Sequence, residues 1–293
     1  MSDFSDALAR GDFVVTSEIG PPKGINIDKC LDEAEHLRGK VVAINVTDIQ
    51  SAVMRFGGLA TCHLLVERDL EPVFQMVCRD RNRLALQSDL LSACKLGVEN
   101  VLCLTGDHNV LGDHPDSMPV FDLEAVGLLQ CVRTLCEGRD MVGNELDGAP
   151  SFFPGAVVAP GADPVEPQII RMENKIAAGA KFFQTQAVYD VDQFAQFMKQ
   201  VGGFGVPVLC GLVLLKSAGM ANFMNKNVSG VSVPKRLIDR LKADKAKTKS
   251  GETAVEIAVE TIEGVRDLCQ GIHIMPLGWD HLVPDIIDRA GLA

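Results

Sequence analysis

In FVVTSEIGPPKG, residues 13–24, one carboxylate, Glu18, ends an apolar run just before Gly20-Pro21-Pro22. An acid taken out of water must be paired, hydrogen-bonded or protonated. At the inner end of an apolar strand it suits a general acid working near neutral pH. A second acid, Asp107, follows NVLCLTG. Ionised, it would favour positive charge developing in a bound intermediate. Other polar residues close further apolar runs: Thr47 and Asp48 after VVAINV, Gln75 inside PVFQMVC with Arg79 and Asp80 behind it, and Gln184, Thr185 and Gln186 in KFFQTQ. Each also has a structural reading. Glu18 could pair with Lys23 or Arg79, Asp107 could cap the turn after Gly106, and Gln186 could satisfy loop backbone. Their convergence at one end of a fold argues for a site.

Other chemistries have weaker footing. Lys and His are scarce at the ends of these runs, which leaves a Schiff-base lysine or a Ser-His relay without an obvious place. His108 and His114 lie six apart in a loop rich in Gly and Asp, without metal-ligand spacing, and read as solvated. Nine cysteines are spread singly with no CxxC pair, and Cys131 and Cys136 fall on different faces of a helical pattern. They read as small core residues.

The elements that must position these residues alternate along the whole chain. Strands are expected at Phe13–Glu18, Val41–Val46, Pro72–Val77, Asn100–Thr105, Ser151–Val158, Lys181–Thr185, Val206–Val213 and Gly271–Met275. Helical periodicity fills the gaps at about 28–38, 57–68, 81–96, 121–137, 164–178, 191–201, 217–225, 252–269 and 281–290. This pattern predicts an α/β fold, a (β/α)8 or TIM barrel, as a single domain over residues 1–293. A doubly wound sheet would want a GxGxxG turn after an early strand, and Gly20-Pro-Pro-Lys-Gly24 is not one. In such a barrel the site forms at the carboxyl ends of the strands.

Composition narrows the class. The chain has 293 residues, 47% hydrophobic and 23% charged, the balance of a soluble globular protein. A formal charge of -11 argues against nucleic-acid binding. There is no apolar run of about 20 residues and no signal-peptide pattern, so no membrane insertion and a cytoplasmic location are expected. The basic stretch 234–250 reads as a solvated face, with an anionic landing site as the sharper alternative.

Five landmarks in order resemble the methylenetetrahydrofolate reductase family over nearly the whole chain: SEIGPPKG (17–24), NVTDIQSA (45–52), LTGDH (104–108), ENKIAAGAKFFQTQAVYD (173–190) and GIHIMPLGW (271–279). The resemblance implies a flavin across the barrel mouth and reduction of 5,10-methylenetetrahydrofolate to 5-methyltetrahydrofolate. It makes Glu18 the general acid, Asp107 the residue that contacts folate and flavin, and Gln186 a substrate ligand. Thr47, Gln75, Gly106, Asp107, Ala156 and Lys175 would contact the flavin. In three places the chain departs from the family pattern. Ala218 stands where the family often has a Phe on which a nicotinamide folds, Gln75 where His is frequent, and GWD where Asn-Arg is common, so that Trp279 would stack on folate. The implied cofactor is FAD, with FMN as the alternative. The donor stays open between NADH or NADPH and an electron-donating partner subunit, and an oligomer is expected. A flavin-free pterin-dependent methyltransferase barrel, and a flavin-bearing subunit of a larger redox complex, remain as alternatives.

Overall fold

The computed structural model describes residues 2–292. The eight short apolar runs form β1 Val14–Ile19, β2 Ala43–Val46, β3 Pro72–Val77, β4 Asn100–Leu104, β5 Phe153–Val158, β6 Phe182–Ala187, β7 Val208–Val213 and β8 Gly271–Met275. Every strand pairs in parallel with its neighbour in sequence, and β8 pairs with β1 to close a barrel. Parallel neighbours need a crossover, and helices such as Arg83–Lys95, Glu166–Ala178 and Val191–Val201 supply it. The closed order rules out the doubly wound sheet.

Alternation within each strand sorts the side chains. Outward residues such as Val15, Ile44, Phe74, Cys103 and Phe183 join the large core beneath the helices. Val14, Ala43, Val73, Leu102, Phe182 and Leu209 fill the barrel floor. All nine cysteines are free and seven are buried, as small core residues should be.

One element was not expected. Residues 3–10 form a helix, Asp3–Arg10, capped by the Ser2 hydroxyl and anchored by Phe4, Ala7 and Leu8 at i, i+3 and i+4 spacing. Phe4 is fully buried and meets Phe153 and Phe182 edge-on, with centroids 5.7 and 5.0 Å away. The amides of Asp3 and Phe4 donate to the Glu71 carboxylate at 2.8 and 3.1 Å, and Ser2 Oγ donates to Asn100 at 2.7 Å. Glu71 and Asn100 stand where β3 and β4 begin, so the helix plugs the barrel at its amino end. That leaves the carboxyl end open for chemistry.

The basic stretch also takes a definite form, as helices Lys235–Ala243 and Lys245–Lys249. Arg240 pairs with Glu256 and Glu260, both at 2.7 Å, while Lys247 pairs with Glu256 and Lys235 with Asp239. Three of the seven cations of the stretch, Lys235, Arg240 and Lys247, are thus matched by acids.

Candidate active site

β1 directs Val14, Thr16 and Glu18 inward in succession, because side chains two apart share a face. Glu18, at the carboxyl end, is 7% exposed. Its Oε2 accepts a hydrogen bond from Gln75 Nε2 at 3.3 Å and lies 3.8 Å from His273 Nε2. Neither proposed structural partner is there: Lys23 pairs with Asp113, and Arg79 pairs with Asp80 at 2.7 Å. Among the described residues no Lys or Arg lies within ion-pair distance of Glu18.

His273 reaches this interior from the middle of a strand rather than from a strand end, where histidine is expected to be scarce. It sits mid-strand in β8, opposite Thr16 in the register, and its Nδ1 is 2.9 Å from Thr16 Oγ1. Below it, Asn45 of β2 and Gln184 of β6 exchange two amide hydrogen bonds, at 2.8 and 3.1 Å, and Gln184 Nε2 reaches Thr16 Oγ1 at 3.4 Å. A polar layer thus underlies Glu18, every member hydrogen-bonded, as burial requires. Reading back by twos from Glu18, Thr47 and Gln186 would have found Thr16, Asn45 and Gln184.

Asp107 follows β4 and is exposed, with its carboxylate unpaired among the described residues. Its backbone carbonyl accepts from Arg79 Nη1 at 3.1 Å. Arg79, 1% exposed, also holds the Ile49 carbonyl at 3.1 Å. One buried guanidinium therefore ties together the loops after β2, β3 and β4. These loops cross tightly: a Cβ on Gly112 would stand 1.8 Å from the Ala52 carbonyl oxygen. Ile49, Ser51, Ala52 and Phe121 adopt positive φ without being glycine, strain of the kind found at functional loops.

The other expected residues divide. Thr47 ends at the mouth, 2% exposed, and its hydroxyl is buried without a partner. An orphan hydroxyl of this kind fits the polar edge of a bound heterocycle. Gly106 turns the chain at φ 91°, where a side chain would press on Val77. Gln75 is engaged with Glu18. Lys175 lies on the helix Glu166–Ala178, with Nζ on the Val157 carbonyl at 2.7 Å and its pKa lowered by burial. Ala156 is wholly buried in the core beneath the helices, so its side chain does not reach the mouth. Gln186 is half-buried beside a break in the β6–β7 register, its Oε1 accepting from the Ala187 amide at 3.2 Å, which is the backbone role foreseen for it. His108 and His114 are exposed, the first stacked on Phe121 and the second bonded to Asp113.

Two charged groups on the β7–β8 side escaped notice. Lys216, after β7, bonds to the Leu277 carbonyl and sits 5.1 Å over the half-buried Trp279 ring, a cation–π contact. Asp280 is 4% exposed, and burial, helped by the Glu33 carboxylate, pushes its pKa up to about 6. Both lie in loops beyond the strand ends, where period-two reading has no purchase.

Comparison with known proteins bears on this site. The family model described as methylenetetrahydrofolate reductase matches residues 3–291. Methylenetetrahydrofolate reductase 2 of Schizosaccharomyces pombe is 23% identical over 99% of this chain and 47% of its own length. Methylenetetrahydrofolate reductase 1 of the same organism is 25% identical over 76% of this chain and 36% of its own. The chain thus spans less than half the length of these curated relatives. Among solved structures, an uncharacterized protein from Clostridium thermocellum that binds two copies of 5-methyl-5,6,7,8-tetrahydrofolic acid superposes with a TM-score of 0.66. The match has 16% identity and covers 99% of this chain and 98% of that one. EDTA monooxygenase from Chelativorans sp. BNC1, at a TM-score of 0.58 and 12% identity over 95% and 92%, shares the fold. By a match that runs from residue 3 to residue 291, the chain belongs to the methylenetetrahydrofolate reductase family.

Proposed function

We propose that this protein reduces 5,10-methylenetetrahydrofolate to 5-methyltetrahydrofolate with a bound flavin, and that Glu18 is the general acid. The observation that carries the reading is the setting of Glu18: a carboxyl 7% exposed at the barrel mouth, facing an amide and an imidazole and, among the described residues, no Lys or Arg. The folate ligand of the Clostridium thermocellum neighbour supports the substrate class.

The residues have distinct tasks. Gln75 and His273 both face Oε2 of Glu18, which leaves Oε1 to carry the transferable proton. Proton transfer to N10 of the bridged folate breaks the bond from N10 to the methylene carbon and leaves an iminium at N5. Asp107, exposed and unpaired, supplies the negative charge that stabilises this cation. Gln186 and Trp279 line the folate. The orphan hydroxyl of Thr47, with Gln75, Gly106, Asp107 and Lys175, would hold the flavin, and Ala156 would contribute backbone only. Bound there, reduced flavin supplies the hydride that makes the methylene carbon a methyl group.

A visible spectrum of the purified protein tests the cofactor. Flavin bands near 450 nm are expected, and their absence after reconstitution with FAD and with FMN would favour a flavin-free methyltransferase. Bleaching by NADH or NADPH would name a nicotinamide donor. Bleaching by dithionite alone would favour electrons fed by a partner subunit, consistent with Ala218 in place of an aromatic residue at the start of the helix Ala218–Asn227.

A further inference from the structure

Thr16, Asn45, Gln184 and His273 are between 0% and 3% exposed, so the hydrogen bonds among them are sheltered from water. We infer that Asn45 and Gln184 are positioning residues that set the tautomer of His273, placing its proton on Nε2, the nitrogen that faces Glu18. The functional consequence rests on the reading of Glu18 as the acid.

Hydrogen-bond direction carries the inference. Asn45 Nδ2 donates to Gln184 Oε1 at 2.8 Å, and Gln184 Nε2 donates to Asn45 Oδ1 at 3.1 Å. Turning either amide alone would set N–H against N–H and oxygen against oxygen; turning both together would set Gln184 Oε1 against Thr16 and call for the opposite tautomer, the outcome that the spectrum below reads as failure. The second N–H of Gln184 is then committed to Thr16 Oγ1, at 3.4 Å. Thr16 receives that hydrogen and has one of its own to give.

Two acceptors compete for the Thr16 proton: His273 Nδ1 at 2.9 Å and the Ile272 carbonyl at 3.5 Å. The imidazole wins, because 2.9 Å lies in the normal range for an O–H donor whereas 3.5 Å, like the 3.4 Å contact from Gln184, lies beyond the normal range. A ring nitrogen that accepts a hydrogen bond carries no hydrogen, so a neutral His273 holds its proton on Nε2. The opposite tautomer would ask Thr16 Oγ1 to accept two N–H groups and spend its own proton on the long contact.

With Nε2–H towards Glu18 Oε2 at 3.8 Å, beyond hydrogen-bond distance, His273 turns the positive end of its N–H dipole to the carboxylate that remains after proton transfer, on the side where Gln75 donates. The amide pair acts only through His273 and touches no reacting atom.

Nitrogen-15 NMR of histidine-labelled, ligand-free protein tests this, with the His273 signal identified by its loss in His273→Gln. The parent should show a pyridine-type Nδ1 and a pyrrole-type Nε2. Gln184→Met keeps volume but removes the N–H to Thr16, and should move the tautomer ratio towards Nδ1–H by about fivefold, the effect of one hydrogen bond. Thr16→Val, which removes the donor to Nδ1, should move it further. A parental Nδ1–H tautomer, a doubly protonated ring, or an unchanged ratio in Gln184→Met would overturn the inference. Should Gln184→Met not fold, Asn45→Ala frees the Gln184 amide and is read the same way. The spectrum involves no turnover, so failure of the Glu18 assignment and failure of the tautomer assignment are seen separately.

Discussion

Glu18 is almost wholly buried, takes a hydrogen bond from Gln75 Nε2, and has no Lys or Arg within ion-pair distance among the described residues. Glu18→Gln keeps the shape and removes the proton. It should lower folate reduction by about 10²- to 10⁴-fold, with flavin absorbance unchanged; near-parental turnover at saturating folate would remove Glu18 as the acid. Asp280 gives a second residue-scale test, in stability. Its folded pKa, about 6, lies above that of an unfolded carboxyl, so ionising it opposes folding. The penalty is absent below about pH 4, grows as pH rises to about 6 and is full above that. Asp280→Asn should therefore be more stable than the parent at pH 7.5, by about 1–3 kcal/mol, with the difference vanishing near pH 4, as read from urea midpoints. A variant less stable at the higher pH would contradict this. Glu18 was legible because an acid in VVTSEI stands out against its neighbours. His273 was not, because GIHIM reads as a plain buried strand until closure of the barrel brings β8 beside β1.

At the scale of elements, all eight strands were legible from short β-branched runs set between helical stretches, and their ends shift by at most two residues. The helix Asp3–Arg10 also carried its signal, a Ser cap and apolar residues at i, i+3 and i+4. Its task as a floor plug depends on Phe153 and Phe182, 149 and 178 residues from Phe4 in the chain, which no local pattern reveals. Phe4→Ala should cost about 3–5 kcal/mol, as for other buried aromatics, and should raise amide exchange across residues 3–10. A loss under 1 kcal/mol would mean the plug adds little to the barrel. The loops of the mouth were the least legible elements. In the sequence Arg79 is a polar residue behind β3 and a possible partner of Glu18, and only the fold shows it buried and holding the carbonyls of Ile49 and Asp107.

At the scale of the molecule, a closed parallel barrel plugged at one end gathers an acid, a free carboxylate and an orphan hydroxyl at the other. The net charge is -11, and within the basic helices Lys235, Arg240 and Lys247 are ion-paired. Among the described residues no helix is long and apolar enough to cross a membrane. The central claim is hydride transfer from a bound flavin to the methylene carbon of a folate. It is tested most directly by mixing the flavin-loaded protein, reduced with dithionite under argon, with 5,10-methylenetetrahydrofolate in a stopped-flow spectrometer. The account predicts that the oxidised flavin bands return in one phase with one equivalent of 5-methyltetrahydrofolate formed. Flavin that stays reduced, or reoxidises without 5-methyltetrahydrofolate appearing, would contradict it.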